Sequence, residues 1–281
     1  MFYLLILLLQ MKLIRQINDL NKAIKDIQGL GFVPTMGGLH KGHESLIMKS
    51  KKRCKNTIVS IFVNPEQFNN RNDYINYPRD LVKDLKILKK LKVDFVYIPT
   101  FSQLYNNKKL IRFKLDSSQK ILCAKYRKGH FEGVLNVMSR LIKLVLPKYI
   151  FMGEKDFQQL FLIKFFLEQK HNIKIIPCKT IRDKNKAALS SRNTLLNKGN
   201  IYKIGLIAKQ LIKLKHRIDK NKNASSYLIK IMRIYLIKKF NIKIEYLEVR
   251  NILDLKKDIT SKKYKLFISY YLNKVRLIDN F

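Results

Sequence analysis

The sequence predicts an α/β protein, in which a Rossmann-like, doubly wound parallel sheet is followed by a smaller C-terminal α+β domain. Two observations carry this prediction. Short β-type runs alternate with helix-type runs as far as Ile181, and the chain then changes to long lysine-rich helices followed by short strands. Strands that alternate with helices form parallel sheets, because each helix packs back onto the sheet as a crossover. With 281 residues, 47% of them hydrophobic, the chain is able to bury a packed core.

The elements follow from apolar periodicity, which is 2 residues in strands and 3.6 in helices. In the first part, strands are predicted at residues 11–14, 30–35, 57–63, 93–98, 148–152 and 173–178. Helices are predicted between them at residues 43–53, 81–91, 131–146 and 157–168. In the second part, helices at 200–220 and 225–240 precede strands at 243–249, 264–271 and 275–278. We place the domain boundary between residues 1–181 and residues 182–281, to within about ten residues.

Residues 1–9 form an apolar run that is too short to span a bilayer. No basic residue precedes this run, and no small-residue cleavage site follows it, so it is a poor signal peptide. Met11 opens a better first strand of a soluble enzyme. We therefore expect residues 1–10 to be an extension or a start-site artefact.

The chain is strongly basic, with 58 Lys and Arg against 20 Asp and Glu and a formal net charge of +38. Such a charge ordinarily indicates a nucleic acid or an anionic membrane as partner. Here the lysines are spread over nearly every segment, so we expect a solvated basic surface with no specific nucleic acid and no membrane partner. The cysteines Cys54, Cys123 and Cys178 are far apart, which argues against a disulfide framework and favours the reducing cytoplasm.

The first polar cluster follows the second predicted strand and precedes a helix. It contains a glycine pair, Gly37 and Gly38, and a His-x-x-His pair, His40 and His43. Glycines let the backbone approach a ligand closely, and a helix N-terminus attracts phosphate. A Walker A loop is excluded, because His43 and Glu44 stand where that motif needs Lys and Ser or Thr. Two interpretations stay open: the imidazoles stabilise phosphate charge, or they are surface histidines that cap a helix.

Neutral amides follow the next predicted strand. Asn64 and Gln67 flank Pro65, which ends the strand because proline removes a backbone donor. Amides suit a substrate that carries hydroxyls and a carboxylate. An ordinary Asn-Pro turn is the alternative.

Two further clusters combine positive charge with hydroxyls or acids. Lys155, within residues 153–156, stands at a helix start and is placed to meet a phosphate, although acids at that position commonly cap a helix. Ser190, Ser191 and Arg192 make a phosphate clamp at the domain junction, or a serine-rich helix cap. Ligands of open parallel sheets bind at the carboxyl ends of the strands. Four such clusters together predict a single site for phosphates and a hydroxylated substrate.

Five segments resemble, in order and spacing, the signature segments of the pantothenate synthetase family. They are residues 34–43, 59–68, 127–134, 153–160 and 190–193. The match continues to residues 276–280 and so covers nearly the whole chain after Met11. The family belongs to the His-x-Gly-His nucleotidyltransferases, and this motif reads His40-Lys41-Gly42-His43 here.

The resemblance implies a ligase that joins pantoate to β-alanine with cleavage of ATP, giving pantothenate, AMP and pyrophosphate through a pantoyl adenylate. It implies ATP as a substrate with Mg²⁺ accompanying the nucleotide, and it leaves the magnesium ligands unassigned. It also implies a cytoplasmic homodimer of two-domain subunits whose smaller domain is a lid.

The resemblance further implies the site residues. His43 is the expected catalytic acid, Gln67 and Gln159 are expected to hold pantoate, and Gln67 also lies close to β-alanine. The residues expected to line the ATP site share the family's motifs. They are Met36, Gly37, Gly38, Leu39, His40, Lys41, Gly42, His43, Gly153, Glu154, Lys155, Asp156, Ile181, Leu189, Ser190, Ser191 and Arg192.

Four residues depart from the family pattern. Asn185 and Lys186 stand where the family usually has Asp-Gly, Leu189 stands where it has Met, and Lys128 replaces a proline. Loss of the glycine is expected to alter how the loop before Ser190 bends. Two other functions remain open: another nucleotidyltransferase of this superfamily, and a nucleic-acid-binding protein on an adenylating scaffold. The second lacks a stripe of aromatic residues and any Trp.

Overall fold

The computed structural model describes residues 11–105, 113–257, 259–260 and 263–281. The expectation about residues 1–10 lies outside these ranges. The chain divides into two compact units, each interrupted in sequence. The first unit comprises Met1–Leu115, Lys128–Glu154 and Gln158–Lys179. The second comprises Asp116–Arg127, Lys155–Phe157 and Thr180–Phe281.

The first unit contains a parallel sheet, as predicted. Its strands are β1 (Lys12–Ile14), β2 (Gly31–Thr35), β3 (Thr57–Ile61), β4 (Phe95–Tyr97), β5 (Tyr149–Gly153) and β6 (Lys174–Cys178). Their order across the sheet is β1-β4-β3-β2-β5-β6, and every pair is parallel.

The helices in chain order connect these strands and then form much of the second unit. They are α1 (Ile17–Ile24), α2 (Lys41–Arg53), α3 (Arg71–Ile75), α4 (Leu81–Lys90), α5 (Phe101–Tyr105), α6 (Leu122–Tyr126), α7 (His130–Val145), α8 (Phe157–Ile163), α9 (Lys198–Lys220) and α10 (Ser225–Phe240). A π-helical turn, Lys164–Glu168, continues α8. The short helices α1, α3, α5 and α6 were not predicted from the sequence.

The core of the parallel sheet comes from its central strands. Phe32 and Val33 of β2, Val59 of β3, and Ile150 and Phe151 of β5 are fully buried. Strands covered on both faces read as continuous apolar runs. This burial explains why these strands were predicted from apolar runs and not from alternating polar and apolar residues.

The second unit is α+β, which confirms the predicted smaller domain type. Strands β7 (Lys243–Asn251), β8 (Tyr264–Leu272) and β9 (Val275–Asn280) form an antiparallel sheet in the order β7-β8-β9. Residues of α9 and α10 share one buried cluster with this sheet. Within the described residues, every helix is too short or too polar to cross a bilayer.

Candidate active site

The predicted site residues of the first unit follow β2, β3 and β5, which are neighbours in the sheet. In the sheet, β3 lies on one side of β2 and β5 lies on its other side, so the order of the strands reverses direction at β2. This reversal is a topological switch point, and ligands of open α/β sheets bind outside the carboxyl ends of the strands at such a point. The residues that follow β2 therefore occupy the position where a ligand is expected.

We call residues 35–39 the glycine turn. Its two glycines have left-handed backbones, with φ of +77° at Gly37 and +62° at Gly38. The Gly37 amide donates to Thr35 Oγ1 at 3.2 Å, and the Thr35 hydroxyl donates to Ser60 O at 2.7 Å. A Cβ on Gly37 would lie 2.9 Å from Asp84 Oδ2 and 3.3 Å from Ile61 Cγ2. Both backbone angle and space require glycine at position 37.

A buried carboxylate accepts the next two amides of the glycine turn. Gly38 N donates to Asp84 Oδ2 at 2.8 Å, and Leu39 N donates to Asp84 Oδ1 at 2.7 Å. Asp84 lies on α4 and is 1% exposed. Burial raises the pKa of this carboxyl, and the hydrogen bonds from Leu39 and Gly38 oppose the rise.

The two histidines that follow the glycine turn cap helix α2 reciprocally. Gly42 N donates to His40 Nδ1 at 3.0 Å, and His40 N donates to His43 Nδ1 at 3.4 Å. The ring centroids are 4.2 Å apart. A Cβ on Gly42 would lie 2.6 Å from His40 Cε1, so glycine is needed there for the ring to reach its cap position.

These hydrogen bonds assign the tautomer of both rings. A ring nitrogen that accepts an N–H bond carries no proton, so in neutral His40 and His43 the proton is on Nε2. Each Nε2–H is then a donor of the kind that stabilises phosphate charge. The cap interpretation and the phosphate interpretation are therefore compatible, because they use different nitrogens.

Gln67 lies beside the glycine turn in the first unit. It is 7% exposed, and its Nε2 donates to Met36 Sδ at 2.9 Å. Asn64 Nδ2 approaches Gln67 Oε1 at 3.5 Å, and His130 Nδ1 bonds to the Gln67 carbonyl oxygen at 2.7 Å. Both the side chain and the backbone of Gln67 are thus held by neighbours. Asn64 itself is 1% exposed, so this contact with Gln67 lies in the interior of the first unit.

The Asn-Pro segment is also a turn, as the alternative interpretation proposed. Asn64 Oδ1 accepts from Glu66 N at 3.4 Å and caps the 3₁₀ turn Pro65–Gln67. The Tyr105 hydroxyl donates to the same oxygen at 2.9 Å. Burial raises the pKa of Tyr105 to about 12, so this hydroxyl keeps its proton as a donor.

The remaining predicted residues of the first unit follow β5. Gly153 ends the strand, where it is paired with Cys178 of β6. Glu154 opens a 3₁₀ turn directly after it, and Gln159 is half-buried in the first turn of α8.

In the second unit, Lys155 is held by its neighbours in sequence and by the C-terminal strand. Its Nζ lies 3.1 Å from Asp156 Oδ1, and its carbonyl accepts from Asn280 Nδ2 at 2.9 Å. The Lys155 side chain is 18% exposed, and that of Asp156 is 48% exposed. The backbone at Lys155 is therefore fixed while Asp156 faces solvent.

We call residues 181–192 the clamp loop. Leu189 N donates to Ile181 O at 3.0 Å, and Arg182 pairs with Ala188 in an isolated antiparallel bridge. Between them Lys186 has φ +76°, the left-handed conformation that glycine usually supplies. Lysine thus adopts here the backbone conformation that glycine favours, and the expected change of bend stays a prediction.

Ser190 confirms the helix-cap interpretation. Its Oγ accepts from Arg192 N at 3.3 Å and caps the 3₁₀ helix Ser191–Leu195. Ser191 is 7% exposed, and Thr194 Oγ1 donates to its carbonyl at 2.8 Å.

A buried ion pair that the sequence did not reveal anchors the clamp loop. Arg182 donates to both oxygens of Asp279, at 2.7 and 2.8 Å, and to Asn280 O at 3.0 Å. Asp279 is 8% exposed. Burial raises the pKa of its carboxyl, and Arg182 opposes the rise. These partners are about a hundred residues apart in the chain, with no local pattern to join them.

The structure thus brings the predicted residues together in two groups. The first unit joins the glycine turn, the histidine pair and Gln67, and the second joins the ends of the clamp loop. Sequence reasoning missed Asp84, Thr35, His130 and Asp279 as supports of these groups. Within the described ranges, no group of three or more His, Cys, Asp or Glu side chains is arranged to hold a metal ion.

The chain is similar to known proteins over nearly its whole length. The family model described as pantoate-beta-alanine ligase matches residues 12–281. A pantothenate synthetase from Helicobacter acinonychis is 40% identical over 276 residues, covering 96% of this chain and 99% of the relative. One from Clostridium botulinum is 37% identical over 278 residues, with the same coverage of 96% and 99%.

Solved structures show the same fold. The pantothenate synthetase of Thermus thermophilus superposes with a TM-score of 0.88 at 27% identity, covering 96% of this chain and 99% of that one. The pantoate-beta-alanine ligase of Francisella tularensis, described as complexed with β,γ-ATP and β-alanine, has a TM-score of 0.79 at 36% identity, with 96% and 97% covered. The match of the family model from residue 12 to the last residue, together with these relatives, shows that the chain belongs to the pantoate-beta-alanine ligase family.

Proposed function

We propose that the protein condenses pantoate with β-alanine at the expense of ATP, through a pantoyl adenylate, and releases pantothenate, AMP and pyrophosphate. Family membership supports the overall reaction, and the Francisella tularensis relative is described as bound to an ATP species and β-alanine. The observation that carries the proposal is the His40–His43 pair, whose Nδ1 atoms accept backbone amides at the switch point of the sheet.

In the first step, a pantoate carboxylate oxygen attacks the α-phosphorus of ATP in line. The new bond joins pantoate to the AMP moiety, and the bond from the α-phosphorus to the bridging oxygen breaks, so pyrophosphate leaves. Negative charge grows on the phosphate oxygens in this step. His43 donates from Nε2 as the catalytic acid, and His40 donates beside it.

The other proposed ATP contacts supply charge and shape. Lys155 and Arg192 bring positive charge to the phosphates, and Ser190 and Ser191 bring hydroxyl donors. Met36 to Gly42, Gly153, Glu154, Asp156, Ile181 and Leu189 line the nucleotide. Mg²⁺ enters with ATP as the MgATP substrate. Nucleotide-bound Mg²⁺ commonly contacts few protein carboxylates, because the phosphates and water complete its coordination shell.

In the second step, the β-alanine amine attacks the acyl carbon of the adenylate. The C–N bond forms, the bond from carbon to the AMP oxygen breaks, and the amine loses a proton to solvent. AMP is a good leaving group, so no protein nucleophile is required. Gln67 and Gln159 hold pantoate, and Gln67 also meets β-alanine. The support for Gln67 is its fixed position, with both its side chain and its backbone held.

We also propose a cytoplasmic homodimer, with residues 182–281 acting as a lid domain over residues 1–181. The lid would exclude water from the adenylate, which hydrolysis would otherwise waste.

The test of the function is β-alanine-dependent release of AMP. Purified protein with MgATP and pantoate is expected to catalyse exchange of pyrophosphate into ATP. Adding β-alanine is expected to yield AMP and pantothenate in equal amounts. Exchange without β-alanine-dependent AMP would instead favour a nucleotidyltransferase that stops at the adenylate. Tight, sequence-selective RNA binding at physiological salt would favour a nucleic-acid-binding protein.

A further inference from the structure

Asp84 is a buried acid on α4 that has no place in the residue set proposed above. It is 1% exposed, and its two oxygens accept the consecutive amides of Gly38 and Leu39 at 2.8 and 2.7 Å. Its own amide donates to Asp80 O at 2.9 Å, so the helix fixes its backbone. A rigid helix thus presents a carboxylate to two successive N–H groups of the glycine turn.

The three consecutive amides of residues 37–39 in the glycine turn are bonded within the protein. Gly37 N donates to Thr35 Oγ1 at 3.2 Å, and Gly38 N and Leu39 N donate to Asp84. Phosphate-binding loops of the Walker type use such amides to hold the ligand. In this chain the Asp84 carboxylate takes two of these amides, so the turn lines the nucleotide through other atoms and the two amides have a different task.

The task follows from what comes next in the chain. His40 follows Leu39 directly, and its backbone amide donates to His43 Nδ1 at 3.4 Å. Fixing the Leu39 amide therefore fixes the direction in which the backbone enters the His40–His43 pair. A Cβ at position 37 would lie 2.9 Å from Asp84 Oδ2, so the turn accommodates only glycine at this position.

An ionised carboxylate suits these contacts better than its neutral isosteres. Two N–H groups need two acceptor atoms, and a carboxylate supplies both. Asparagine of the same shape supplies one oxygen, and its NH₂ group would face the other amide.

We infer that Asp84 is a positioning residue for the transfer to the α-phosphate: it holds Gly38 and Leu39 and so sets the place of His40 and His43. This inference rests on the proposed function. It predicts that loss of the carboxylate misplaces the histidines while leaving ground-state binding of ATP largely intact, because the amides held by Asp84 do not bind the nucleotide.

The experiment compares Asp84→Asn with Asp80→Asn in the full-length protein. Both changes remove one negative charge from the same end of α4, but Asp80 is exposed and its Oδ1 accepts only within its own helix start, from Lys83 N at 3.0 Å. We measure kcat for AMP release per folded site, and the Kd for a non-hydrolysable ATP analogue by calorimetry. Hydrogen exchange of residues 36–43 is followed by mass spectrometry.

For Asp84→Asn we expect kcat to fall by about 10²-fold, the scale for small misplacement of catalytic groups, with the Kd changed by less than about threefold. Exchange of residues 36–43 is expected to accelerate in this variant and not in Asp80→Asn, whose kcat stays near wild type. A near-normal kcat per folded site overturns the inference. So does a variant that does not fold, since the carboxylate then serves the whole unit and not the site.

Failure of the proposed function gives a different pattern. The wild-type protein would then release no AMP, while hydrogen exchange would still report whether Asp84 holds the turn. Unchanged exchange of residues 36–43 in Asp84→Asn would reject the positioning role on its own.

Discussion

The glycine turn and the clamp loop solve the same structural problem with different residues. Each contains left-handed backbone, and each is held by a buried aspartate. In the glycine turn, Asp84 accepts neutral backbone amides, and glycines occupy the left-handed positions. In the clamp loop, Asp279 accepts two hydrogen bonds from the Arg182 guanidinium, and Lys186 occupies the left-handed position.

The difference shows which glycines the fold can lose. A left-handed backbone costs a non-glycine residue about 1–2 kcal/mol, which a stable domain tolerates. A Cβ at Gly37 would in addition lie 2.9 Å from Asp84 Oδ2 and 3.3 Å from Ile61 Cγ2, so neither neighbour leaves space for it. Lys186 is exposed, so its side chain extends into solvent. A position that needs only a left-handed backbone thus tolerates another residue. A position that also has a close neighbour requires glycine.

The largest effect is expected from breaking the anchor of the clamp loop. Asp279→Asn leaves the Arg182 guanidinium, whose side chain is 18% exposed, with a neutral partner, and breaking a buried pair typically costs about 3–5 kcal/mol. Urea unfolding measures the loss. The control is Asp254→Asn, where an exposed acid lies 3.8 Å from Lys256 Nζ and a change within about 0.5 kcal/mol is expected. Equal losses in the two variants would show that the pair does not anchor the loop.

The next effect concerns chemistry beside the glycine turn. His43→Ala removes one proposed donor to the phosphates, so kcat for AMP release is expected to fall by at least about 10²-fold. The exposed residue His216, on α9 of the second unit, provides the matched control, and His216→Ala is expected to retain full activity. A near-normal kcat for His43→Ala would refute its role as catalytic acid.

A smaller effect is expected from Gln67, whose side-chain amide donates to Met36 Sδ. Gln67→Ala removes a hydrogen-bond partner proposed for pantoate, and the KM for pantoate is expected to rise about tenfold. The control is Gln103→Ala, because Gln103 is half-buried and its Nε2 donates to Arg15 O at 2.8 Å, outside the proposed site. Steady-state kinetics with pantoate varied decides the matter, and an unchanged KM in Gln67→Ala would count against the placement.

The smallest effect tests the comparison of the two loops directly. Lys186→Gly relieves the left-handed strain and is expected to raise the free energy of unfolding by about 1 kcal/mol. Lys184→Gly is the control: it lies in the same loop with φ outside the positive range, so it should slightly lower stability. Loss of stability in Lys186→Gly would show that the lysine side chain contributes contacts that outweigh the strain.

The parallel sheet and the order of the clusters were predictable from sequence, because buried strands and their polar ends leave local patterns. Gly37, His40 and His43 stand in one short segment, so the sequence could propose them as one group, and their chemical roles stay predictions. Asp84 could not be found this way, since an acid on an amphipathic helix has the pattern of a solvated residue. The pairing of Arg182 with Asp279 joins distant segments, and only the folded chain brings them together.

Residues 155–157 show that the sequence also does not reveal which segments group into each compact unit. The sequence indicates one boundary near residue 181, whereas this segment and residues 116–127 group with the second unit. Hydrophobic periodicity describes each element but not its long-range partner. The lid role of residues 182–281 stays a prediction.

The two residues between the paired histidines have opposite freedom. Lys41 is exposed at the start of α2, whereas Gly42 has the His40 ring where its side chain would be. Position 41 is therefore a place to attach a reporter: a labelled cysteine there keeps Gly42 and both capping histidines, and it also probes the proposed contact of Lys41 with ATP. Such a label would follow the site during turnover from within its own motif.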